Sequence, residues 1–509
     1  MTSRRIHRRD LAKLAGGATA LGLAGIGNGG CTSSGSTQVA SASVPPPHPV
    51  VPSSESRRLP EGFKWGTATA AFQIEGALKE DGRGVSIWDT FAHTPGKIHG
   101  DASPDIALDH YHRYKDDVKL MKSLGANAYR FSISWPRIFP EGTGAPNPRG
   151  VDFYNRLVDE LLASDVEPFA TLFHWDLPQA LQNRFGGWES RETSKAFAEY
   201  AGYVASKLGD RIKHFFTINE FSSVVKAGHA LGVHPPGLKL PPGRLNQVRH
   251  HMVLGHGLAV QAIRARGRGE TKVGPAEQVI SAVPIVGTPE NVRAAEVATR
   301  ELNAGLLTVM LEGRYTDAFL ESAGNDAPKF TDEDLKIIAS PVDFVGTNVY
   351  KAHHYVRASE DARGYTIVPF QSVHPNAPFP GLVFNVTLQM TPEVMYWHPR
   401  SLKALWNVKE IYITENGVPF AHPPSGDGMD EDSDRIMWLR AYLSEMQRAT
   451  SEGIPVRGYF HCTLVDNFEW TAGYAPRFGL YSVDPKTQKR SPKLSAGFYR
   501  EIIARNAVV

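Results

Sequence analysis

Residues 214–220 read His-Phe-Phe-Thr-Ile-Asn-Glu, and residues 410–416 read Glu-Ile-Tyr-Ile-Thr-Glu-Asn. Each is a short apolar run, typical of a buried strand, that ends in an amide and a carboxyl side chain. Similar runs alternate with amphipathic stretches along the chain, which predicts an α/β fold, a closed (β/α)8 TIM barrel of parallel strands. The predicted strands are Lys64–Ala71, Ala126–Ile133, Glu167–Phe173, His214–Ile218, Lys272–Glu277, Asp343–Asn348, Glu410–Thr414 and Val456–Thr463.

The stretches between these strands have the apolar spacing of amphipathic helices. A chain of 509 residues could hold several domains, but a barrel with insertions can remain one unit. Because the sequence has no short internal repeat and no second linker, we predict one barrel domain over residues 59–509. Its active site is expected at the carboxyl ends of the strands. The predicted helices include Asp109–Leu124, Gly150–Ser164, Ser190–Leu208 and Ser433–Glu452.

The N-terminal residues are predicted to direct export. Arg8 and Arg9 precede a small apolar run over residues 14–26, which is too short to span a bilayer comfortably. The paired arginines resemble a twin-arginine signal, which carries folded proteins across a membrane. We therefore predict a signal segment over residues 1–30 and a Ser/Pro-rich linker over residues 31–58. The mature protein is expected in the periplasm or outside the cell.

Two cleavage positions fit this leader. Residues 40–42 read Ala-Ser-Ala, which fits an ordinary signal peptidase site near 42/43. Cys31 follows two glycines and resembles the start of a bacterial lipoprotein, with cleavage near 30/31 and a lipid anchor on the thiol. Asn28 stands where that motif usually has an aliphatic residue, so both alternatives stay open. No later segment is apolar enough to predict an integral membrane span.

Charge and cysteine content exclude some function classes. The formal net charge is +2, but residues 1–58 hold seven Lys or Arg and only two acids. The remaining chain has 48 basic and 51 acidic side chains, a net charge of −3 that gives no reason to expect nucleic-acid binding. Of the two cysteines, Cys31 lies in the leader and Cys462 in the body, so no internal disulfide is expected.

Glu220 and Glu415 follow the fourth and seventh predicted strands. The carboxyl ends of the strands of a barrel meet at one face and can form a single site. Glycoside hydrolysis needs a pair of carboxyl groups, one on each side of the bond that is cleaved. One group must be protonated and the other ionised, which burial and nearby donors can arrange. A single Glu after a strand is more often a structural partner of a helix or a cation. Two such residues, each beside an Asn, favour catalysis.

Further polar and aromatic residues stand at or just past the predicted strand ends. Sugar hydroxyls both donate and accept hydrogen bonds, so Gln, His and Asn side chains suit their recognition. The group supports one site built from several strands. It comprises Gln73, Arg130, His174, Asn219, Asn348, Tyr350, Asn416, Glu469 and Trp470.

Four longer motifs make the resemblance specific. The chain resembles glycoside hydrolase family 1, the β-glucosidase and β-galactosidase family, over about residues 63–500. The resemblance is carried by Phe-Lys-Trp-Gly-Thr-Ala-Thr-Ala-Ala-Phe-Gln-Ile-Glu-Gly (63–76), Tyr-Arg-Phe-Ser-Ile-Ser-Trp-Pro-Arg (129–137), Phe-His-Trp-Asp-Leu-Pro (173–178) and Asp-Asn-Phe-Glu-Trp (466–470), the last followed by Arg-Phe-Gly-Leu (477–480).

The resemblance implies a retaining β-glycosidase that hydrolyses unphosphorylated β-glycosides, small or oligosaccharidic, through a covalent glycosyl-enzyme. It implies that Glu220 is the acid/base and Glu415 the nucleophile, with Arg130 and Tyr350 bonded to the nucleophile. Retaining carboxyl pairs lie about 5–5.5 Å apart and inverting pairs about 6.5–9.5 Å apart. The resemblance also implies that the sugar at the cleaved end is bound by Gln73, His174, Asn219, Glu469 and Trp470. We add Asn348 to these residues because of its position at a strand end.

The sequence departs from the family pattern at three positions. Phe221 replaces a Pro after the acid/base, and Cys462 replaces a Trp that forms a platform under the sugar. Met395 replaces an aromatic platform for the leaving group, and the neighbouring Tyr396 and Trp397 could compensate. A thiol has no aromatic face, so we expect weaker or altered stacking and a shifted sugar preference.

Two other functions stay open from the sequence. The protein could favour transfer of the sugar to an acceptor over hydrolysis, or be a non-catalytic sugar-binding protein on the same barrel. Retention of both carboxylates argues against the second. No metal-ligand spacing, phosphate loop or nucleotide fingerprint is present, so we expect no metal and no cofactor. The oligomeric state is not predicted.

Overall fold

The computed structural model describes residues 57–369, 390–419 and 430–509. These residues belong to one compact unit, Pro52–Val509. The predicted signal segment, nearly all of the predicted linker, Cys31 and both cleavage positions lie outside the described residues. The domain boundaries and the lipid anchor therefore stay predictions.

Eight parallel strands close into a barrel, as predicted. Each strand pairs with its sequence neighbours, and the first strand closes the barrel by pairing Ala68 with Cys462 of the eighth. The first strand is shorter than predicted, because the backbone N–H of Ala71 turns to the Ser132 hydroxyl at 2.7 Å and a helical turn begins there. The strands are β1 (Lys64–Ala68), β2 (Ala128–Ser132), β3 (Glu167–Phe173), β4 (His214–Asn219), β5 (Lys272–Glu277), β6 (Val345–Asn348), β7 (Ile411–Asn416) and β8 (Val456–Cys462).

Helices surround the barrel, and the four predicted helices are confirmed. The second of them begins two residues early, because Pro148 fixes the first helical φ and the Asn147 side chain accepts from the Arg149 N–H. The α-helices are Ala71–Ile74, Ile87–Ala92, His110–Leu124, Trp135–Ile138, Pro148–Ala163, Gln179–Phe185, Arg191–Leu208, Phe221–Ser223, Pro242–Arg266, Pro289–Leu302, Val309–Glu312, Asp317–Ala323, Asp332–Ile338, Val394–Trp406, Ser433–Ser451 and Leu494–Arg505.

The structure also has short strands, 3-10 helices and π-helices in addition to the barrel strands and α-helices. A three-stranded sheet and a two-stranded sheet lie outside the barrel. Neither was predicted, because strands of three to five residues have too little alternation to stand out in the sequence. The strands are Ala282–Pro284, His354–Ala358, Tyr365–Val368, Tyr481–Val483 and Arg490–Pro492; the 3-10 helices are His99–Asp101, Gly187–Glu189, Gly324–Asp326 and Trp470–Ala472, and the π-helices Val224–Ala230 and Ala304–Thr308.

A layer of aromatic side chains fills the barrel interior below the carboxyl ends of the strands. Phe169 lies 5.0 Å from Phe460 and 5.5 Å from Tyr412 between ring centroids, and Phe216 lies 5.0 Å from Phe344. Side chains from several strands thus pack in one layer, as expected for a filled barrel. This layer supports the residues at the strand ends from beneath.

The two ends of the described chain meet beside the start of β1. Arg58 forms a bridge with Ala507, and the Leu59 N–H donates to the Asn506 carbonyl at 2.9 Å. The Asn506 side chain accepts from the Trp65 indole at 2.8 Å. The chain therefore enters the barrel at the amino end of its strands. Within the described ranges, no helix combines the length and apolar character needed to cross a membrane.

Candidate active site

Glu220 and Glu415 both lie at the carboxyl end of the barrel and are buried. Glu220 follows β4 and has a left-handed backbone, with φ at 48°. Glu415 lies in β7, where the register with both neighbouring strands is irregular. Only 5% of Glu220 and 8% of Glu415 is exposed, so neither is an ordinary surface carboxylate.

Two donors hold the carboxyl group of Glu415. Arg130, itself buried on β2, donates to Oε1 at 2.6 Å, and the Tyr350 hydroxyl donates to Oε2 at 2.8 Å. A guanidinium ion and a hydroxyl group at these distances stabilise the ionised carboxylate. The arrangement is the one expected of a group that attacks as an anion.

Glu220 has a different environment. Asn348 donates to Oε1 at 2.8 Å, and the Ser223 hydroxyl donates to Oε2 at 2.6 Å. Burial, followed by the charge of Glu415, raises the pKa of Glu220 to about 7. A carboxyl group with such a pKa can give and take a proton near neutral pH.

A chain of hydrogen bonds joins the two carboxyl groups. Asn348 contacts Glu220 and also donates to Oδ1 of Asn219 at 3.1 Å. The same Oδ1 accepts from Arg130 at 2.6 Å, and Arg130 contacts Glu415. The structure thus brings side chains from β2, β4, β6 and β7 into a single site.

Polar groups predicted to bind sugar continue this network. Asn219 donates to the Nε2 of His174 at 3.0 Å, which fixes that nitrogen as an acceptor. Gln73 donates to Glu469 at 3.1 Å and to the Phe468 carbonyl at 3.0 Å. Burial, together with the charge of Glu415, raises the pKa of Glu469 to about 8. Hydrogen-bond donors and acceptors therefore line the part of the site that contains His174.

Trp470 belongs to a group of packed aromatic rings beside these polar residues. Its ring centroid lies 4.4 Å from that of Trp175 and 4.6 Å from that of Trp88, and Phe72 stacks on it at 6.1 Å. Trp175 also donates to the Asn219 carbonyl at 3.0 Å. The packing and this bond hold Trp470 and Asn219 in a fixed relation.

Residues 55–508 match the family model described as Glycosyl hydrolase family 1. The chain belongs to glycosyl hydrolase family 1. Its fold and its relatives make it a β-glucosidase-like glycosidase.

Similar proteins cover nearly the whole chain. A 1,4-beta-D-glucan glucohydrolase of Thermotoga neapolitana is 41% identical over 453 residues, which span 89% of this chain and 99% of that protein. Beta-glucosidase A of Thermotoga maritima is 40% identical over the same shares of the two chains. The structure of a Thermotoga maritima β-glucosidase in complex with deoxynojirimycin has a TM-score of 0.79 at 39% identity, and the match covers 89% of this chain and all of the other.

The three departures from the family 1 pattern have clear structural settings. Phe221 is fully buried and begins the helical turn after Glu220. Cys462 ends β8 with its thiol beside the Tyr350 hydroxyl, and burial of the sulfur raises the pKa of the thiol well above the ordinary value. Met395 is fully buried, so it offers no exposed platform. Tyr396 is buried and donates to Glu452, just after the helix Ser433–Ser451, at 2.7 Å. Compensation by Tyr396 or Trp397 stays a prediction.

Several residues of this family 1 site were missed from the sequence. Ser223 contacts Glu220, Thr414 donates to Asn348 at 2.7 Å, and Thr171 accepts from Arg130 at 3.1 Å. Each hydroxyl orients a predicted site residue. The only signal in the sequence is that they lie on or next to the same strand ends. Across the described ranges, no group of three or more His, Cys, Asp or Glu side chains has the geometry to hold a metal ion.

Proposed function

We propose that this family 1 enzyme is a retaining β-glycosidase that hydrolyses unphosphorylated β-glycosides, with β-glucosides as the first expectation. One observation carries the proposal: a carboxylate held by a guanidinium ion and a phenol shares a hydrogen-bond network with a carboxyl group whose pKa is about 7. Glu415 is held by a cation and a hydroxyl donor, whereas the pKa of Glu220 is raised, so the two carboxyl groups have the different environments that double displacement requires.

In the first step, Glu220 gives its proton to the glycosidic oxygen. An oxygen of Glu415 bonds to the anomeric carbon as the bond to the leaving group breaks, which gives a covalent glycosyl-enzyme and a free alcohol. In the second step, the Glu220 carboxylate takes a proton from water, whose oxygen bonds to the same carbon. The bond to Glu415 breaks, and both carboxyl groups return to their starting states.

The change of role at Glu220 follows from electrostatics. The charge of Glu415 is one of the causes that raise the pKa of Glu220. Once Glu415 is esterified, that charge is gone, so the pKa of Glu220 falls and its ionised form becomes available as a base. The same pair of residues can therefore supply an acid first and a base second.

Sugar recognition is proposed for Gln73, His174, Asn219, Asn348, Glu469 and Trp470. Their network offers donors and acceptors beside the carboxyl pair, and the Trp470 ring adds an apolar face. The charges that act on Glu469 are those of the Glu415 and Glu220 carboxyl groups, so a phosphate on the sugar would meet negative charge there, which favours unphosphorylated substrates. A screen of nitrophenyl glycosides (gluco, galacto, fuco, manno and xylo, both anomers) with purified protein tests the substrate class. Activity restricted to α-anomers or to phosphorylated sugars would contradict it.

Trapping with 2-deoxy-2-fluoro-β-glucosyl fluoride tests the covalent step. The fluorine slows both steps, and the good leaving group lets the first proceed, so the glycosyl-enzyme accumulates. We expect the label on the peptide that contains Glu415, and none in the Glu415→Ala variant. Glu410→Gln is the matched control, because Glu410 lies at the opposite end of the same strand and pairs with Lys272 at 2.7 Å. A label on another carboxylate, or an α-anomer as the first product by NMR, would contradict retention at Glu415.

We also propose that the mature protein is exported. The support is the leader described above, with its paired arginines and its Ser/Pro-rich linker. Changing Arg8 and Arg9 together to Lys should keep the protein in the cytoplasm. The N-terminal sequence of the exported protein, with a fatty-acid label, would separate cleavage near 42/43 from lipidation at Cys31. Equal export of the double variant would contradict the twin-arginine assignment.

A further inference from the structure

Glu277 is a buried carboxyl group beside Glu220 that the proposed reaction does not use. It is the last residue of β5 and has no exposed surface. Its neighbour Ala276 pairs with Asn219 and accepts a hydrogen bond from the Glu220 N–H at 2.8 Å. The end of β5 therefore lies against the backbone where the chain leaves β4.

The carboxyl group of Glu277 binds the turn that follows Glu220. Its Oε1 accepts from the Ser222 N–H at 3.2 Å and from the Ser222 hydroxyl at 2.5 Å. Ser222 follows Phe221, whose side chain is fully buried, so Glu277 fixes the turn at the second residue after Glu220.

The conformation of Glu220 explains why such a contact matters. Its φ of 48° is left-handed, which residues with a side chain adopt only when their surroundings enforce it. The next three residues form a helical turn that leads into the π-helix Val224–Ala230, and the first N–H groups of such a helix have no carbonyl partner within it. Bonds from Glu277 to Ser222, the second of these residues, fix the direction in which the Glu220 side chain leaves the backbone.

We propose that Glu277 is a positioning residue for Glu220: through Ser222 it holds the acid/base carboxyl toward the glycosidic oxygen. This inference rests on the proposed role of Glu220. The hydrogen bonds of the Glu277 carboxyl group go to Ser222, so Glu277 acts on Glu220 only through the turn.

Glu277 performs this role as a neutral acid. Its Oε2 has no hydrogen-bond partner among the described residues, and Glu220 is the charged group that faces it. Burial raises the pKa of Glu277 to about 8. A buried carboxyl without a cation beside it is more stable protonated at neutral pH. Glutamine has the same shape and offers the same acceptor, so it should replace Glu277 functionally.

The test uses the leaving group of the substrate. A poor leaving group, as in phenyl or alkyl β-glucosides, needs the proton from Glu220, whereas 2,4-dinitrophenolate departs without it. General acid catalysis contributes about 10²–10⁴-fold, so Glu277→Leu should lower kcat/KM for the poor leaving group by at least about tenfold more than for the dinitrophenyl glucoside. Glu277→Gln should restore the ratio to within about threefold of the original.

Each outcome has a defined meaning. Equal losses on both substrates in Glu277→Leu, or no loss at all, would overturn the inference, as would a Glu277→Gln variant as defective as Glu277→Leu. If Glu277→Leu does not fold by circular dichroism, Ser222→Ala replaces it, because this variant removes one of the bonds and should change the same ratio in the same direction. Glu220→Gln is measured in parallel. If it shows no dependence on the leaving group, the proposed function fails; if it does and the Glu277 and Ser222 variants do not, only the positioning role fails.

Discussion

Removal of the Ser223 hydroxyl should shift the pH profile of the enzyme upward. In the native protein, kcat/KM should fall as the pH rises through about 7, because Glu220 loses the proton that the first step needs. Ser223 donates to Oε2 of Glu220 at 2.6 Å, and this bond stabilises the ionised form. Ser223→Ala removes that stabilisation, so the pKa of Glu220 rises and the protonated acid persists to higher pH.

The size of the shift follows from the bond. A hydrogen bond to a charged group contributes about 1.5–3 kcal/mol, and 1.36 kcal/mol corresponds to about one pKa unit. Because Ser223 is partly exposed, water replaces some of the lost bond, so the lower end applies. We expect the basic limb of the profile, where kcat/KM falls with rising pH, to move up by about one pH unit. Asn348 still contacts the other oxygen of Glu220, so the carboxyl group keeps one donor.

The assay is kcat/KM for 4-nitrophenyl β-glucoside, measured between about pH 4 and pH 9 with the enzyme checked for stability at each pH. Ser206→Ala is the matched control, because its hydroxyl donates only to the Tyr203 carbonyl at 2.7 Å on an outer helix. The control should leave the limb unmoved. If the basic limb of the Ser223→Ala variant stays at the same pH or moves to lower pH, the assignment of this limb to Glu220 is refuted.

Two further variants test other parts of the site. Arg130→Met should lower both activity and stability, because it leaves Glu415 buried without its cation; loss of one partner of a buried pair costs about 3–5 kcal/mol, measurable by urea unfolding. A folded variant with unchanged stability and unchanged kcat/KM would contradict this account. Cys462→Trp should raise kcat/KM for aryl β-glucosides roughly two- to tenfold, since aromatic stacking adds about 0.5–1.5 kcal/mol. No gain would mean that the pocket beside Tyr350 is shaped for another ring or substituent.

The barrel could be predicted from the sequence because its strands are encoded locally. Each is an apolar run bounded by polar residues, and all eight were found within a few residues of their ends. The predicted strand bounds are wrong where a side chain from a distant part of the sequence determines the end of the strand. The first strand ends at Ala68 and a helical turn begins at Ala71, whose N–H donates to the Ser132 hydroxyl, a contact between residues 61 positions apart. No local pattern contains that information.

The site was predictable to the extent that its residues stand at strand ends. Arg130 and Tyr350 were expected beside Glu415, and the structure places both within hydrogen-bond distance of it. Glu277 was assigned only to a strand. Its partner Ser222 lies 55 positions away, and the contact depends on the register between β4 and β5. The sequence shows that both residues exist but not that they meet.

The pairing of Arg58 with Ala507 has a practical consequence. The chain enters beside the start of β1, at the amino end of the barrel. Glu220 and Glu415 lie at the opposite, carboxyl end. A solid support or a purification tag coupled directly at residue 57 would be attached at the face opposite Glu220 and Glu415. Immobilisation through the amino terminus is therefore the orientation of choice for an enzyme that must meet its glycosides from solution.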